Sequence, residues 1–208
     1  MAKAAEFLNK AIEILKKLFG DYHKYLALAY FRLANVEKET GKLKESKKCL
    51  EESKDIWLKF FGETNLNVAT SYIFLGLLNS NNGNFLEAKE CHKKCLKIFL
   101  KLFGGKNTPN LGRCYRNVGY SQFAMGNWLK AQKYYLKSLE IYENCEKEDF
   151  KVADCYYYLS KIHEKLDNYD EALKKAQKAY TIVLIVYGPE HETTQMYLSH
   201  KDKMKNIH

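Results

Sequence analysis

Leu18-Phe19-Gly20, Phe60-Phe61-Gly62, Leu102-Phe103-Gly104 and Val186-Tyr187-Gly188 share one pattern, two large apolar residues stopped by a glycine. Their glycines stand 42, 42 and 84 residues apart, and 84 is two steps of 42, so the chain repeats itself. A fixed period of this size marks an architecture of stacked supersecondary units, each too small to bury its own apolar face alone. The absent member falls near Cys145 and Glu146, where Glu140-Ile141-Tyr142-Glu143 keeps a helical pattern but no glycine follows.

A second register agrees with the first. Ala4, Ser46, Ala88, Ala131 and Ala172 recur at nearly the same step, and seven residues after each stands another small residue: Ala11, Ser53, Cys95, Ser138 and Ala179. Spacing of seven puts both on one face of a helix, where small side chains let a neighbouring helix come close. A third register runs through the other helix of each unit. Tyr30, Tyr72, Tyr115 and Tyr156 are followed three residues later by Leu33, Leu75, Val118 and Leu159, and then by Ala34, Gly76, Gly119 and Ser160. Ring, aliphatic and small residue in that order make a knob and a notch. Gly41, Gly83, Gly126 and the pair Asp167-Asn168 separate the two helices as turn signals.

These columns resemble the tetratricopeptide repeat: an aromatic, a Leu and a Gly or Ala in the first helix, Gly at the turn, two small residues in the second. The period of about 42 and the segments Gly20-Asp21-Tyr22-His23 and Gly188-Pro189-Glu190-His191 after an aromatic residue are similar to the kinesin light chain subtype. The expected fold is therefore all-α, a right-handed solenoid of antiparallel helix pairs with about ten helices. Eight residues beyond the usual 34 of the family lengthen each helix by roughly one turn at about 1.5 Å per residue.

Helices are predicted near residues 2–18, 22–40, 43–60, 64–81, 84–102, 107–124, 127–143, 148–166, 169–186 and 190–205, with ends good to about two to four residues. The whole of 1–208 reads as one domain: an unpaired helix in 1–20, pairs in 21–62, 63–104, 105–146 and 147–188, and a terminal helix in 189–208. The two unpaired helices read either as caps or as ends of a longer array, because a solenoid needs polar terminal faces. Lys201 to Lys205 suits the last helix to capping, whereas Phe7, Leu8 and Ile12 on the first look partly uncovered.

Only 2 prolines occur and no Gly/Ser-rich stretch divides the chain, so no linker is visible. Lys and Arg number 34 against 25 Asp and Glu, a formal net charge of +9 that favours acidic partners or serves solubility on helix surfaces. Ile182 to Tyr187 is far short of the roughly 20 apolar residues that span a bilayer, so no membrane insertion is expected. Met1 to Lys10 alternates charged and apolar residues, unlike a secretory signal. A cytoplasmic protein with six reduced cysteines is the expectation.

Chemistry-bearing clusters dissolve into the repeat. Cys91, His92 and Cys95 offer two thiols and an imidazole, the donor types of a zinc site. Yet Cys95 stands in the column of Ala11, Ser53, Ser138 and Ala179, Cys91 shares a column with Cys49, and Cys114 and Cys155 align with Ala29 and Ser71. Cysteine here replaces small core residues, and no metal or cofactor is expected. His23 and His191 sit at matching places, three residues after a glycine, as loop or helix-start residues. No glycine-rich phosphate loop, His-Glu-x-x-His zinc motif or nucleophile triad is present, so no catalytic residue is assigned and the chain is not read as an enzyme.

The resemblance implies that side chains of the first helices line a concave groove. The corresponding residues are Leu28, Phe31, Arg32 and Asn35; Thr70, Ile73, Phe74 and Leu77; Arg113, Arg116, Asn117 and Tyr120; and Asp154, Tyr157, Tyr158 and Lys161. Kinesin light chains hold short cargo peptides in this groove, although their paired asparagines survive here singly, as Asn117. The first two sets make an apolar floor and the last two a basic, hydrogen-bonding patch, suited to an acidic peptide with a hydrophobic anchor. A scaffold or adaptor for protein–protein interaction is the first reading. Nucleic acid is the second, on the charge and the 16 tyrosines. Self-association through the terminal helices is the third.

Overall fold

The computed structural model describes residues 2–145 and 150–207. Ten helices and no strand occur among the described residues: α1 (Ala2–Phe19), α2 (Lys24–Glu39), α3 (Leu43–Phe61), α4 (Leu66–Asn81), α5 (Phe85–Phe103), α6 (Pro109–Ala124), α7 (Trp128–Cys145), α8 (Phe150–Lys165), α9 (Tyr169–Tyr187) and α10 (Glu192–Asn206). The repeat architecture expected from the three registers is the one observed. Two compact units divide the chain, Met1–Gly105 with α1 to α5 and Lys106–His208 with α6 to α10. Inside each unit a helix packs chiefly on the one before it and the one after it, most closely within the pairs α2/α3, α4/α5, α6/α7 and α8/α9.

The first-type helices α2, α4, α6 and α10 start two residues later than their periodicity suggests, and capping is the reason; Thr108 caps α6 by accepting from the Leu111 N–H at 3.3 Å. His23 and Asn65 hold extended backbone (φ −151°, ψ 143° and φ −141°, ψ 144°) so that their side chains accept from the backbone N–H of Tyr25 and Asn67. His191 does the same for Thr193 through Nδ1 at 3.1 Å. Each cap satisfies one of the donors a helix start leaves over. The two histidines are also stacked on the aromatic residue that ends the previous helix, His23 on Phe19 and His191 on Tyr187, each at 4.4 Å. The helix-start role expected for them is the observed one.

At the turns inside the pairs, residues 41, 83, 126 and 167 all adopt positive φ, between 54° for Asp167 and 78° for Gly41. The left-handed residue lets Lys42, Asn84, Asn127 and Asn168 donate back to Glu37, Asn79, Gln122 and His163, each at 2.9 Å. This closes the helix with a six-to-one hydrogen bond. Asp167 fills the place at a modest steric cost, which is why the fourth turn lacks the glycine of the others.

The small columns do the packing their spacing implies. A methyl group on Gly76 would lie 2.3 Å from the ring of His92, and one on Gly119 would lie 3.1 Å from that of Tyr135. Where the first helix carries Ala34 the opposing residue is Leu50. The notch thus shrinks as its filler shrinks. Serines in the small columns are buried and satisfied: Ser46 and Ser53 donate to the Ala34 and Ala27 carbonyls, both at 2.8 Å, and Ser138 donates to Gly112 at 2.9 Å. Three of the four recurring tyrosines lie under lysines of the partner helix, Lys94 over Tyr72 at 5.4 Å, Lys137 over Tyr115 at 5.4 Å and Lys178 over Tyr156 at 5.1 Å, while Tyr30 lies under Lys16 of α1 at 5.8 Å. Ring and cation attract through the ring quadrupole.

On α1, Ile12 is buried against Leu26, Ala27 and Leu33 of α2, so it is covered, contrary to the expectation. Leu8 is half-buried in the same cluster, and Phe7 alone of the three is exposed. Helical geometry explains it: Leu8 and Ile12 are four apart and face α2, whereas Phe7 lies a full step round the helix.

Candidate functional site

In the first unit, α2 and α4 meet through Phe31 and Phe74, whose rings touch edge to face at 4.9 Å. Both rings are half-buried, and Leu28, Leu77 and Arg32 stand exposed beside them. Asn35 and Thr70 are half-buried, the latter donating its hydroxyl to the Leu66 carbonyl at 2.8 Å. Ile73 is only 2% exposed and belongs to the core between helices, so it offers no free surface. An apolar patch with one exposed cation is the result.

In the second unit the first-type helices α6 and α8 meet through charge and rings. The Arg116 guanidinium lies 3.5 Å from the Asp154 carboxylate. Burial pushes the Asp154 carboxyl up and Arg116 pulls it back down, while the carboxylate in turn raises the guanidinium against its own burial. Arg116 is thereby engaged within the protein. Arg113 donates to the Asn110 side chain at 3.3 Å, and its buried Nε has no hydrogen-bond partner among the described residues. Asn117 is 5% exposed, so its amide faces packed helices and is not open to a ligand backbone.

Rings continue from there in an unbroken series. Tyr120 meets Tyr158 edge to face at 5.6 Å, Tyr158 meets Tyr157 at 5.6 Å, and Tyr157 stacks on Tyr197 of α10 at 4.4 Å and 8°. Lys161 sits 5.1 Å over Tyr157 and 6.0 Å over Phe123. Tyr120, Tyr157 and Lys161 are half-buried, each keeping part of its surface open. Tyr197 escaped the sequence reading because α10 departs from the column pattern. Counted from the matched caps His23 and His191, Tyr197 takes the place of Ala29, one residue before the tyrosine column.

The ring series ends on a histidine. His200 meets Tyr157 edge on at 5.1 Å and its Nε2 is 2.9 Å from Ser160 Oγ. Ser160 has one proton, which it gives to the Ala172 carbonyl at 2.7 Å, so the imidazole must be the donor in the other bond. Burial pushes the His200 pKa down, and Lys161 and Lys203 push it the same way against Glu164. The neutral ring is the folded form. An unfolded histidine takes its proton near pH ~6.5, so the stability this ring supports is complete above that value and is lost as pH falls from it through the lower folded value. The melting temperature is therefore expected to fall between pH 7 and 5, and His200→Gln should reduce the fall. An unaltered pH profile in the variant would remove His200 from the account. His163, also lowered by burial, adds to the slope with the same sign.

Cys155 and Cys49 are held as thiols by their burial. Burial pushes the Cys155 thiol up to about 12 and the Cys49 thiol to about 11, so neither is a thiolate near neutrality. Cys95 and His92 are both buried in α5, and among the described residues no group of three or more His, Cys, Asp or Glu could hold a metal ion. No described helix is long and apolar enough to cross a membrane.

No curated protein sequence matches the chain. Solved structures do. BtubC (BKLC) from P. vanneervenii is similar at a TM-score of 0.80 with 16% identity, over 99% of this chain and 81% of that one. A putative kinesin light chain with nearly identical TPR-like repeats from Podosopora anserina follows at 0.74 and 18%, over 89% of this chain and 88% of that one. The apo form of RapI reaches 0.75 at 17%, over 96% of this chain and 54% of that one. Such identities speak for the fold alone. The family model of the tetratricopeptide repeat matches residues 25–101, 75–144 and 111–185, most of the chain, and repeats of this family generally mediate protein–protein interactions. The chain belongs to the tetratricopeptide repeat family.

Proposed function

We propose that the chain is a non-catalytic adaptor that captures an acidic peptide or protein segment carrying a hydrophobic anchor, using the faces of its first-type helices. The observation that supports this reading most is the half-open aromatic series of the second unit with Lys161 laid over it. Aromatic residues with a neighbouring cation are the anchors that dominate interfaces. Arg113 adds a second cation, and in the first unit Phe31, Phe74 and Leu77 with exposed Arg32 make a patch of the same character. Asn35 and Tyr120 supply hydrogen-bonding groups at the margins. The expected compartment is the cytoplasm.

Lys161→Glu is the informative variant. It reverses the charge over Tyr157 without breaking an ion pair among the described residues, whereas Arg116→Glu would set two carboxylates against each other at Asp154 and report on folding instead. On an array of acidic peptides with single aromatic or aliphatic anchors, the wild-type chain should capture a subset. Lys161→Glu should weaken that capture by about tenfold, the equivalent of about 1.4 kcal/mol. Equal capture by both proteins would remove the second-unit face from the proposal. Tight oligonucleotide binding that collapses with salt would replace the peptide by nucleic acid.

A further inference from the structure

The four second-type helices α3, α5, α7 and α9 bury their small columns completely, from Ser46 and Ser53 through to Ala172 and Ala179. Helix α1 carries the same columns as Ala4 and Ala11, and there Ala4 is exposed and Ala11 only half-covered. The difference is sharpest at the isoleucine three residues past the second small one. Ile56, Ile98 and Ile141 are 3%, 7% and 3% exposed and Ile182 is half-buried, whereas Ile14 is 55% exposed. Phe7, at 66%, continues the open stripe. The other side of α1 is already packed, with Ile12, Leu8 and Leu15 against α2. So α1 has the surface of a second-type helix, and among the described residues no first-type helix covers it.

We propose that this open face of α1 docks an amphipathic helix of a partner protein that carries two small residues seven positions apart, an aromatic residue three after the first, and an acidic margin. The pattern is what the filled pairs require. Ala27, Tyr30 and Ala34 show it in α2, and Gly112, Tyr115 and Gly119 show it in α6, with the Ile141 side chain 3.2 Å from where a Gly112 methyl would stand. Lys10 occupies the column of Glu52, Lys94, Lys137 and Lys178, and the three lysines α5, α7 and α9 carry there each lie over the aromatic residue of their pair. An occupant ring would meet Lys10 in the same way.

Charge chooses the occupant. Lys3, Lys10 and Lys17 follow one another every seventh residue along the edge of the open stripe, and all three are exposed. Lys10 reaches back to Glu6 at 2.7 Å, an exposed pair that a better acceptor can replace. Two copies of α1 packed antiparallel would bring the lysine edges together, which repels. The α10 of a second copy fits no better. Counting from the matched caps His23 and His191, it offers Gln195 and Asp202 where the notch residues must be small. An acid-flanked helix from another protein satisfies both demands.

The probe is a fluorescein-labelled peptide copying residues 24–39 with Lys24→Glu and Lys38→Glu, which supplies Ala27, Tyr30 and Ala34 and an acidic margin. Anisotropy with the full chain should show saturable binding. Ile14→Lys should weaken it by at least about tenfold, as should leucine at both small positions of the peptide. Ile14 is exposed, so that variant keeps the wild-type melt. Lys161→Glu should leave this binding unchanged, so failure here and failure of the peptide-capture reading are told apart. Three results would overturn the proposal: no binding by the wild-type chain, equal binding by Ile14→Lys, or a wild-type dimer in sedimentation that Phe7→Lys disperses, which would make the occupant a second copy.

Discussion

Tyr197→Ala is expected to cost about 3–5 kcal/mol, the usual range for deleting a large buried ring. Tyr197 is 1% exposed, stacks on Tyr157 at 4.4 Å, and joins the core formed by Tyr135, Leu159, Ile162 and Val183. Its loss leaves a ring-sized hole between α8 and α10 and removes the main apolar anchor of α10, whose remaining buried side chains are Thr194, His200 and Met204. Tyr197→Phe keeps the ring and should stay within about 1 kcal/mol of wild type, because only the hydroxyl is lost. Urea denaturation measures both, and hydrogen exchange should show α10 opening first in the alanine variant. If the alanine variant unfolds with the wild type, α10 is not held by this stack.

Gly76→Val is the second large effect. The valine Cβ alone would stand 2.3 Å from His92, and His92 is itself fully buried, so ring or helix must move. Overpacking of this kind costs about 1–3 kcal/mol, and a β-branched residue regains little of the helix propensity that glycine lacks. The chain contains its own remedy. Ala34 faces Leu50 in the first pair, so Gly76→Ala combined with His92→Leu should come within about 1 kcal/mol of wild type, while Gly76→Ala alone is less stable than the double variant. Additive losses in the double variant would show that the two residues do not share a notch.

Much of this was legible before any coordinates. Period, helix count, turn positions and the small columns all follow from residue spacing, because stacked pairs impose the same contact on every repeat. The side chains that differ between repeats were harder. Nothing local to Gly76 says that a histidine fills its notch, since the filler lies on the next helix and varies from Leu50 to His92 to Tyr135. Arg116 looked available because its carboxylate partner, Asp154, stands a whole repeat further on. The resemblance places Ile73 and Asn117 on the inner wall, yet both side chains are buried, at 2% and 5% exposed. Tyr197 was hidden by the polar character of the helix around it.

The packing of each helix on its neighbours in sequence bears on how the chain is made. No described helix waits for a distant segment to complete its main contacts, so the polypeptide can acquire structure in order as it leaves the ribosome, one hairpin after another. Short sequence separations also favour quick folding. Translation that stops after a completed hairpin would release a product whose earlier hairpins are already folded.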